Sequence, residues 1–400
     1  MAGPISPLAP EGFPELPPIA GVRFGVARCG IRYRDRTDLM LAVLEPGSTI
    51  AGLFTRSLTP GAPVDWCREC LPRGTARAIV VNSGNANVFT GRAGRDAVEA
   101  TAAAAARLVG CEPREVYVAS TGVIGEMLPA GKILEALPGA LAGADADGWR
   151  AAAEAIMTTD TFAKGATARA AIGGTPVIIN GIAKGSGMIA PDMATMLAYI
   201  FTDAAIPAPV LQALLKAANE RSFNCITVDG DTSTSDTVQL AATGRAGNPP
   251  PATAAGPELR AFRRALDQVM VSLAQQIVRD GEGAEKFVTI DVAGAASPRA
   301  ARRVGLAVGN SPLVKTAIAA GDANWGRIVA AVGKCGEKAD RDRLSIAVGG
   351  VTIAEHGGPV PGYDEAPVAA HMAGRDIRIA IDLGIGRGRA TVWTCDLTHR

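Results

Sequence analysis

Residues 184–204 read KGSGMIAPDMATMLAYIFTDA, and the two halves of this stretch differ sharply in character. Gly185, Ser186, Gly187 and Pro191 make the first half a sharp, irregular turn. The second half, LAYIFTDA, reads as a core strand. Thr195 stands at the junction, and a threonine at the start of a buried strand can have its hydroxyl held against a fixed backbone. If the peptide before it is strained, the hydroxyl can attack the Ala194 carbonyl. An N-to-O acyl shift and hydrolysis then free a new N-terminus at Thr195. Its α-amine, with an unperturbed pKa of about 8, can act as general base for its own hydroxyl. The residues alone also permit a plainer reading. A β-branched residue suits the start of any strand, and Gly-Ser-Gly is ordinary in loops. A phosphate-cradling loop is rejected, because the order GxxxxGK[ST] and a following helix are both absent.

Outward from this stretch, strands are expected at 78–82 (AIVVN), 115–119 (EVYVA) and 176–180 (PVIIN). The first runs into the Gly/Asn-rich SGNAN and the second into STG. Further strand-like runs lie between Asp38 and Thr59 and at 286–293, 344–348, 377–382 and 389–393. Helices are expected at 93–109, closed by Gly110, and around 149–157 and 208–221. A clear one follows the Pro/Gly/Ala connector 244–257, where Leu259, Phe262, Leu266, Val269, Leu273 and Ile277 recur at spacings of three and four. It ends in DGEGA, which puts Glu282 at its C-terminal lip. Residues 1–20 read as a loose arm. Strands mixed with helices, without regular βαβ alternation, point to α+β layers rather than a doubly wound sheet.

The composition narrows the chemistry. Hydrophobic residues make up 48% of the 400, enough for a large core, and the net charge of +1 offers nothing to attract nucleic acid. No apolar run is long enough to span a membrane. The Pro-rich N-terminus lacks the pattern of a signal peptide, so a cytoplasmic protein is expected. The seven cysteines are scattered, which suits reduced thiols. Cys67 and Cys70 form one CxxC with no second pair. With only His356, His371 and His399 present, neither a His-based metal site nor a Ser-His-Asp triad has a candidate. No metal and no resident cofactor are expected. Asp229, Asp231 and Asp236 in DGDTSTSDT lack the spacing and terminal Glu of a calcium loop. They read as a hydrogen-bonded turn rich in caps.

Eight stretches, in order, resemble the ornithine acetyltransferase (glutamate N-acetyltransferase) family: VNSGNAN (81–87), ASTGVIGE (119–126), IMTTDT (156–161), AKGSGMIAPDMATML (183–197), DGDTSTSDT (229–237), DGEGAEKF (280–287), NSPLVKTAI (310–318) and ANWGRI (323–328). The resemblance implies a layered αββα sandwich, self-cleaved between Ala194 and Thr195 into two intertwined chains, 1–194 and 195–400. It implies a heterotetramer of two of each. Thr195 is then the nucleophile, and Thr121 and Gly122 form the oxyanion hole. Thr158, Lys184, Thr195 and Glu282 contact substrate, with Lys184 suited to a carboxylate and Glu282 to an ammonium. Implied substrates are N-acetylornithine and glutamate. Some members also accept acetyl-CoA, and the sequence leaves that open. Family members continue past the CDLT motif (395–398) with a short tail carrying two substrate contacts, which have no counterpart here. Two other readings are kept: a self-processing aminopeptidase or amidase on a similar scaffold, and a non-catalytic assembly partner.

Overall fold

The computed structural model describes residues 4–190 and 196–397. Its strands, in chain order, begin with β1 (Val22–Ala27), β2 (Leu39–Leu44), β3 (Thr49–Phe54), β4 (Ala78–Asn85) and β5 (Val116–Val123). Next come β6 (Lys164–Ile172), β7 (Thr175–Lys184), β8 (Leu197–Thr202), β9 (Thr237–Ala242) and β10 (Phe287–Ala295). The last are β11 (Ser345–Val348), β12 (Val351–Glu355), β13 (Gly358–Pro359), β14 (Asp376–Asp382) and β15 (Gly388–Cys395). They form three sheets, ordered β1-β2-β4-β5, β3-β9-β8-β7-β6 and β13-β12-β11-β14-β10-β15. The protein is therefore a mixed α+β fold.

β8 shows why the pieces stack. All six of its residues are buried, so both faces must be covered. Leu197, Tyr199 and Phe201 point one way and share a core with Leu39, Leu41 and Val80 of the four-stranded sheet. Ala198 and Ile200 point the other way, into the apolar stripes of helices Ala208–Asn219 and Arg260–Arg279. The two sheets thus face one another. Phe24, Trp149 and Phe201 meet edge to face between them, with ring centroids 4.5 to 5.6 Å apart. Helices Ala62–Cys70, Gly91–Val109 and Ala130–Ala142 complete the core of the four-stranded sheet through Trp66, Val98 and Leu137.

The stripe expected on the long helix is fully buried, and Leu273 presses on the glycine face of β7 at Gly181. Leu273→Ala is expected to cost about 2–5 kcal/mol through the cavity it leaves. Chemical denaturation checks this, and an unchanged midpoint would contradict it.

The six-stranded sheet has a separate core, shared with helices Pro298–Gly309, Trp325–Gly333 and Glu365–Met372. Here β14 alternates exposed and buried along its whole length, so one face alone is covered. The motifs NSPLVKTAI and ANWGRI fall on helix starts, where the Asn324 side chain accepts from Arg327 N. Among the described residues, no helix is long and apolar enough to cross a membrane.

Two expected boundaries move. β4 does not stop at Asn82, nor β5 at Ala119. Both run on, as a parallel pair, through Ser83–Asn85 and Ser120–Val123. Pairing overrides the turn-forming composition of these residues.

Candidate functional site

The site begins at that extended pair. The register of β4 on β5 slips at Gly84 and Asn85, which brings the two backbones close. Gly122 has φ +133°, and a Cβ there would lie 2.3 Å from the Gly84 carbonyl carbon and 2.6 Å from Asn85 N. Glycine is the one residue that fits. Thr121, beside it, is buried.

Lys184 ends β7 and points to the same place. It is no solvated loop cation, because its side chain is only 3% exposed. Its ammonium donates to Thr158 Oγ1 at 2.8 Å and to Thr121 Oγ1 at 3.4 Å. Three residues expected at the site therefore meet at one buried cation. Burial pushes the Lys184 pKa down, and the neighbouring Asp160 carboxylate opposes that.

Asp160 organises the region beneath. Its carboxylate accepts from Gly185 N at 2.6 Å and Thr158 N at 3.0 Å, pairs with Lys164 at 2.7 Å and lies 3.8 Å from the Lys184 ammonium. Burial alone would raise its pKa. The charges of Lys164 and Lys184 outweigh burial and hold the carboxyl well below the usual range. Lys164 also pairs with Asp280 at 2.5 Å, at the end of the long helix, where Thr161 N and Oγ1 donate to the same carboxylate. Two lysines and two aspartates are thus sealed together, with charges balanced.

The segment after Lys184 is held by hydrogen bonds at Gly185, Ser186, Met188 and Ile189. Ser186 Oγ meets Thr159 Oγ1 at 2.6 Å, and Glu282 N donates to Ser186 O at 2.9 Å. The Glu282 side chain is exposed and lies over Gly187, where a Cβ would come 2.8 Å from its carboxylate. Met188 adopts φ +55°, a strained value for a residue with a side chain. Asp229 accepts from Met188 N at 2.5 Å and from Ile189 N at 3.0 Å. Residues 191–195, with the expected cleavage pair Ala194 and Thr195, lie outside the described residues. Beyond them, Asp236 Oδ1 accepts from Met196 N at 2.9 Å. Asp229 and Asp236 of DGDTSTSDT therefore grip the chain on both sides of that interval, as acceptors for backbone N–H groups.

The loop carrying Glu282 is braced from the C-terminal strand. Asp396 accepts from Glu285 N at 2.9 Å and Lys286 N at 2.7 Å. Buried Lys315 donates to Thr394 Oγ1 and to the Cys395 carbonyl.

Sequence reasoning placed Thr121, Gly122, Thr158, Lys184 and Glu282 at a site but gave no role to Asp160, Lys164 or Asp280, and read Asp236 only as part of a capped turn. The available signal was the aspartate inside each of IMTTDT, DGEGAEKF and DGDTSTSDT. Chemically, a buried ammonium beside two hydroxyls and a close-packed glycine suits a carboxylate or a developing oxyanion.

The family model described as the ArgJ family matches residues 23–400. The chain is 59% identical over 396 residues to the arginine biosynthesis bifunctional protein ArgJ of Gluconobacter oxydans, covering 99% of this chain and 93% of that protein. Among solved structures, an arginine biosynthesis bifunctional protein argJ from Bacillus halodurans is 40% identical. It covers 49% of this chain and 92% of that one, with a TM-score of 0.48. An ornithine acetyltransferase complexed with ornithine from Mycobacterium tuberculosis is 35% identical, covering 43% and 92%, with a TM-score of 0.39.

Proposed function

Because this chain belongs to the ArgJ family, we propose that it moves an acetyl group from N-acetylornithine to glutamate through an acetyl-threonine ester on Thr195. The observation that carries the reading is the convergence of Thr121, Thr158 and Lys184, from three distant stretches, on one buried point. Cleavage between Ala194 and Thr195 frees the α-amine. Thr195 Oγ then attacks the acetyl carbonyl as the α-amine takes its proton. The Thr121 hydroxyl and the Gly122 N–H hold the oxyanion, an arrangement that typically contributes about 3 kcal/mol per donor. Collapse of the tetrahedral adduct breaks the C–N bond, and the amine returns the proton to the departing ornithine. Glutamate takes the acetyl group by the reverse steps.

Lys184 receives the substrate carboxylate and exposed Glu282 its ammonium. The relatives are called bifunctional, and we take acetyl-CoA as a second donor to the same threonine. The αββα layering, the two chains 1–194 and 195–400, and a heterotetramer of two of each belong to this reading.

The test is the intact mass of denatured protein, before and after incubation with N-acetylornithine. Two fragments divided before Thr195 are expected, with one acetyl group added to the C-terminal fragment. A single uncut chain would overturn the reading. Fragments that release acetate without forming an acetyl-enzyme or using glutamate would favour an amidase.

A further inference from the structure

We propose that Lys184 fixes the direction of the Thr121 hydroxyl, so that Thr121 presents its proton to the oxyanion instead of rotating freely. This rests on the reading of Thr121 as an oxyanion donor. It adds a second duty to a lysine assigned there only to the substrate carboxylate. An ammonium has three N–H donors and no acceptor. Lys184 gives one N–H to Thr158 Oγ1 at 2.8 Å and one to Thr121 Oγ1 at 3.4 Å. In both contacts the threonine oxygen accepts, so its own proton must point elsewhere. The Thr121 hydroxyl makes no other hydrogen bond among the described residues, so that proton is uncommitted. Asp160, at 3.8 Å, is too far for a hydrogen bond, which leaves the third N–H for the substrate.

Both partners are held in place. Lys184 is the last residue of β7 and pairs across to Leu197 of β8. Its ammonium is buried, and the Asp160 carboxylate favours the charged form. Thr121 is buried too, in register with Ser83 and Asn85 of β4. A hydroxyl that accepts from a cation is also a stronger donor, because the bond polarises its O–H. Removing the ammonium leaves a hydroxyl free to turn, and a donor that must reorient during the reaction stabilises the oxyanion less. In this duty Lys184 is a positioning residue that acts through Thr121.

The experiment uses p-nitrophenyl acetate, an acetyl donor with no carboxylate for Lys184 to bind. Release of p-nitrophenolate and the acetyl mass gained by the enzyme are followed for the parent, Lys184→Met, Thr121→Val and the double variant. Thr121→Val is expected to slow acylation by about 10²–10³-fold, the usual cost of one oxyanion donor. Lys184→Met is expected to slow it by about 10-fold or more. The double variant should be no slower than Thr121→Val alone, the signature of two residues acting as one unit. Thr121→Ser should keep most of the rate and its dependence on Lys184. Acylation of Lys184→Met at the parental rate overturns the proposal and confines Lys184 to the carboxylate. An equal loss with and without the Thr121 hydroxyl also overturns it, because the cation would then act on the oxyanion directly. Neutron diffraction supplies a readout that needs neither turnover nor cleavage. The Thr121 deuteron is expected to point away from Lys184, and one directed at Lys184 Nζ would sink the proposal. An uncut parent enzyme removes the Thr195 reading instead, and the deuteron position still decides the orientation.

Discussion

Gly122→Ala is expected to abolish measurable acetyl transfer and to destabilise the fold by on the order of 3 kcal/mol. Two costs combine. The new Cβ would lie 2.3 Å from the Gly84 carbonyl carbon, and that carbon belongs to a backbone that cannot swing aside like a side chain. The φ of +133° is also one that alanine rarely adopts. Relief would require β4 and β5 to part at Ser83–Asn85. That would move Thr121 away from Lys184 and turn the Gly122 N–H from the oxyanion position proposed for it. Denaturant titration and a transfer assay on the same preparation test both halves. A variant that melts with its parent and turns over normally would refute the close packing.

Asp160→Ala is the second large effect, about 3–5 kcal/mol, because it takes the neighbouring carboxylate from Lys184 in a sealed interior and leaves Lys164 with Asp280 alone. It also frees the N–H groups of Gly185 and Thr158. The pH dependence follows from the lowered carboxyl pKa. The unfolded chain binds a proton at this group near pH 4, where the folded chain does not. The stability contributed by Asp160 is therefore complete above about pH 4 and is lost as pH falls toward the lower folded value. Below pH 4 the parent should lose stability with falling pH more steeply than Asp160→Ala does. Parallel curves would place the ionised carboxylate elsewhere.

Much of this was legible in the chain itself. The apolar run of β8 announced a core strand, and the spacing from Leu259 to Ile277 announced the helix that proves to cover one of its faces. Site residues were legible only where a motif carried them. Asp160 and Asp236 lay inside such motifs, yet their contacts were not legible, because their backbone partners, Gly185 and Met196, lie 25 and 40 residues away and no local pattern records such a pairing. Ser83–Asn85 and Ser120–Gly122 were misjudged for a related reason. Their composition favours turns, but each finds its strand partner in the other. The short helices between Pro298 and Gly333 escaped because each is only a few turns long and gains stability mainly by packing on a distant sheet.

The order of the five-stranded sheet has a consequence for how the mature protein could be made. β8 and β9 follow the proposed cut, yet they lie between β3 on one side and β7 and β6 on the other, which precede it. That sheet has to assemble while the chain is continuous, when closing it is an intramolecular event with a modest entropic cost. Once cut, the denatured protein is two molecules, and recovering the sheet becomes a second-order encounter that depends on concentration. An uncut Thr195→Ala chain should refold at a rate independent of dilution, and the cut enzyme should not. Its persistence would then be governed by the rate of unfolding rather than by an equilibrium it could re-enter.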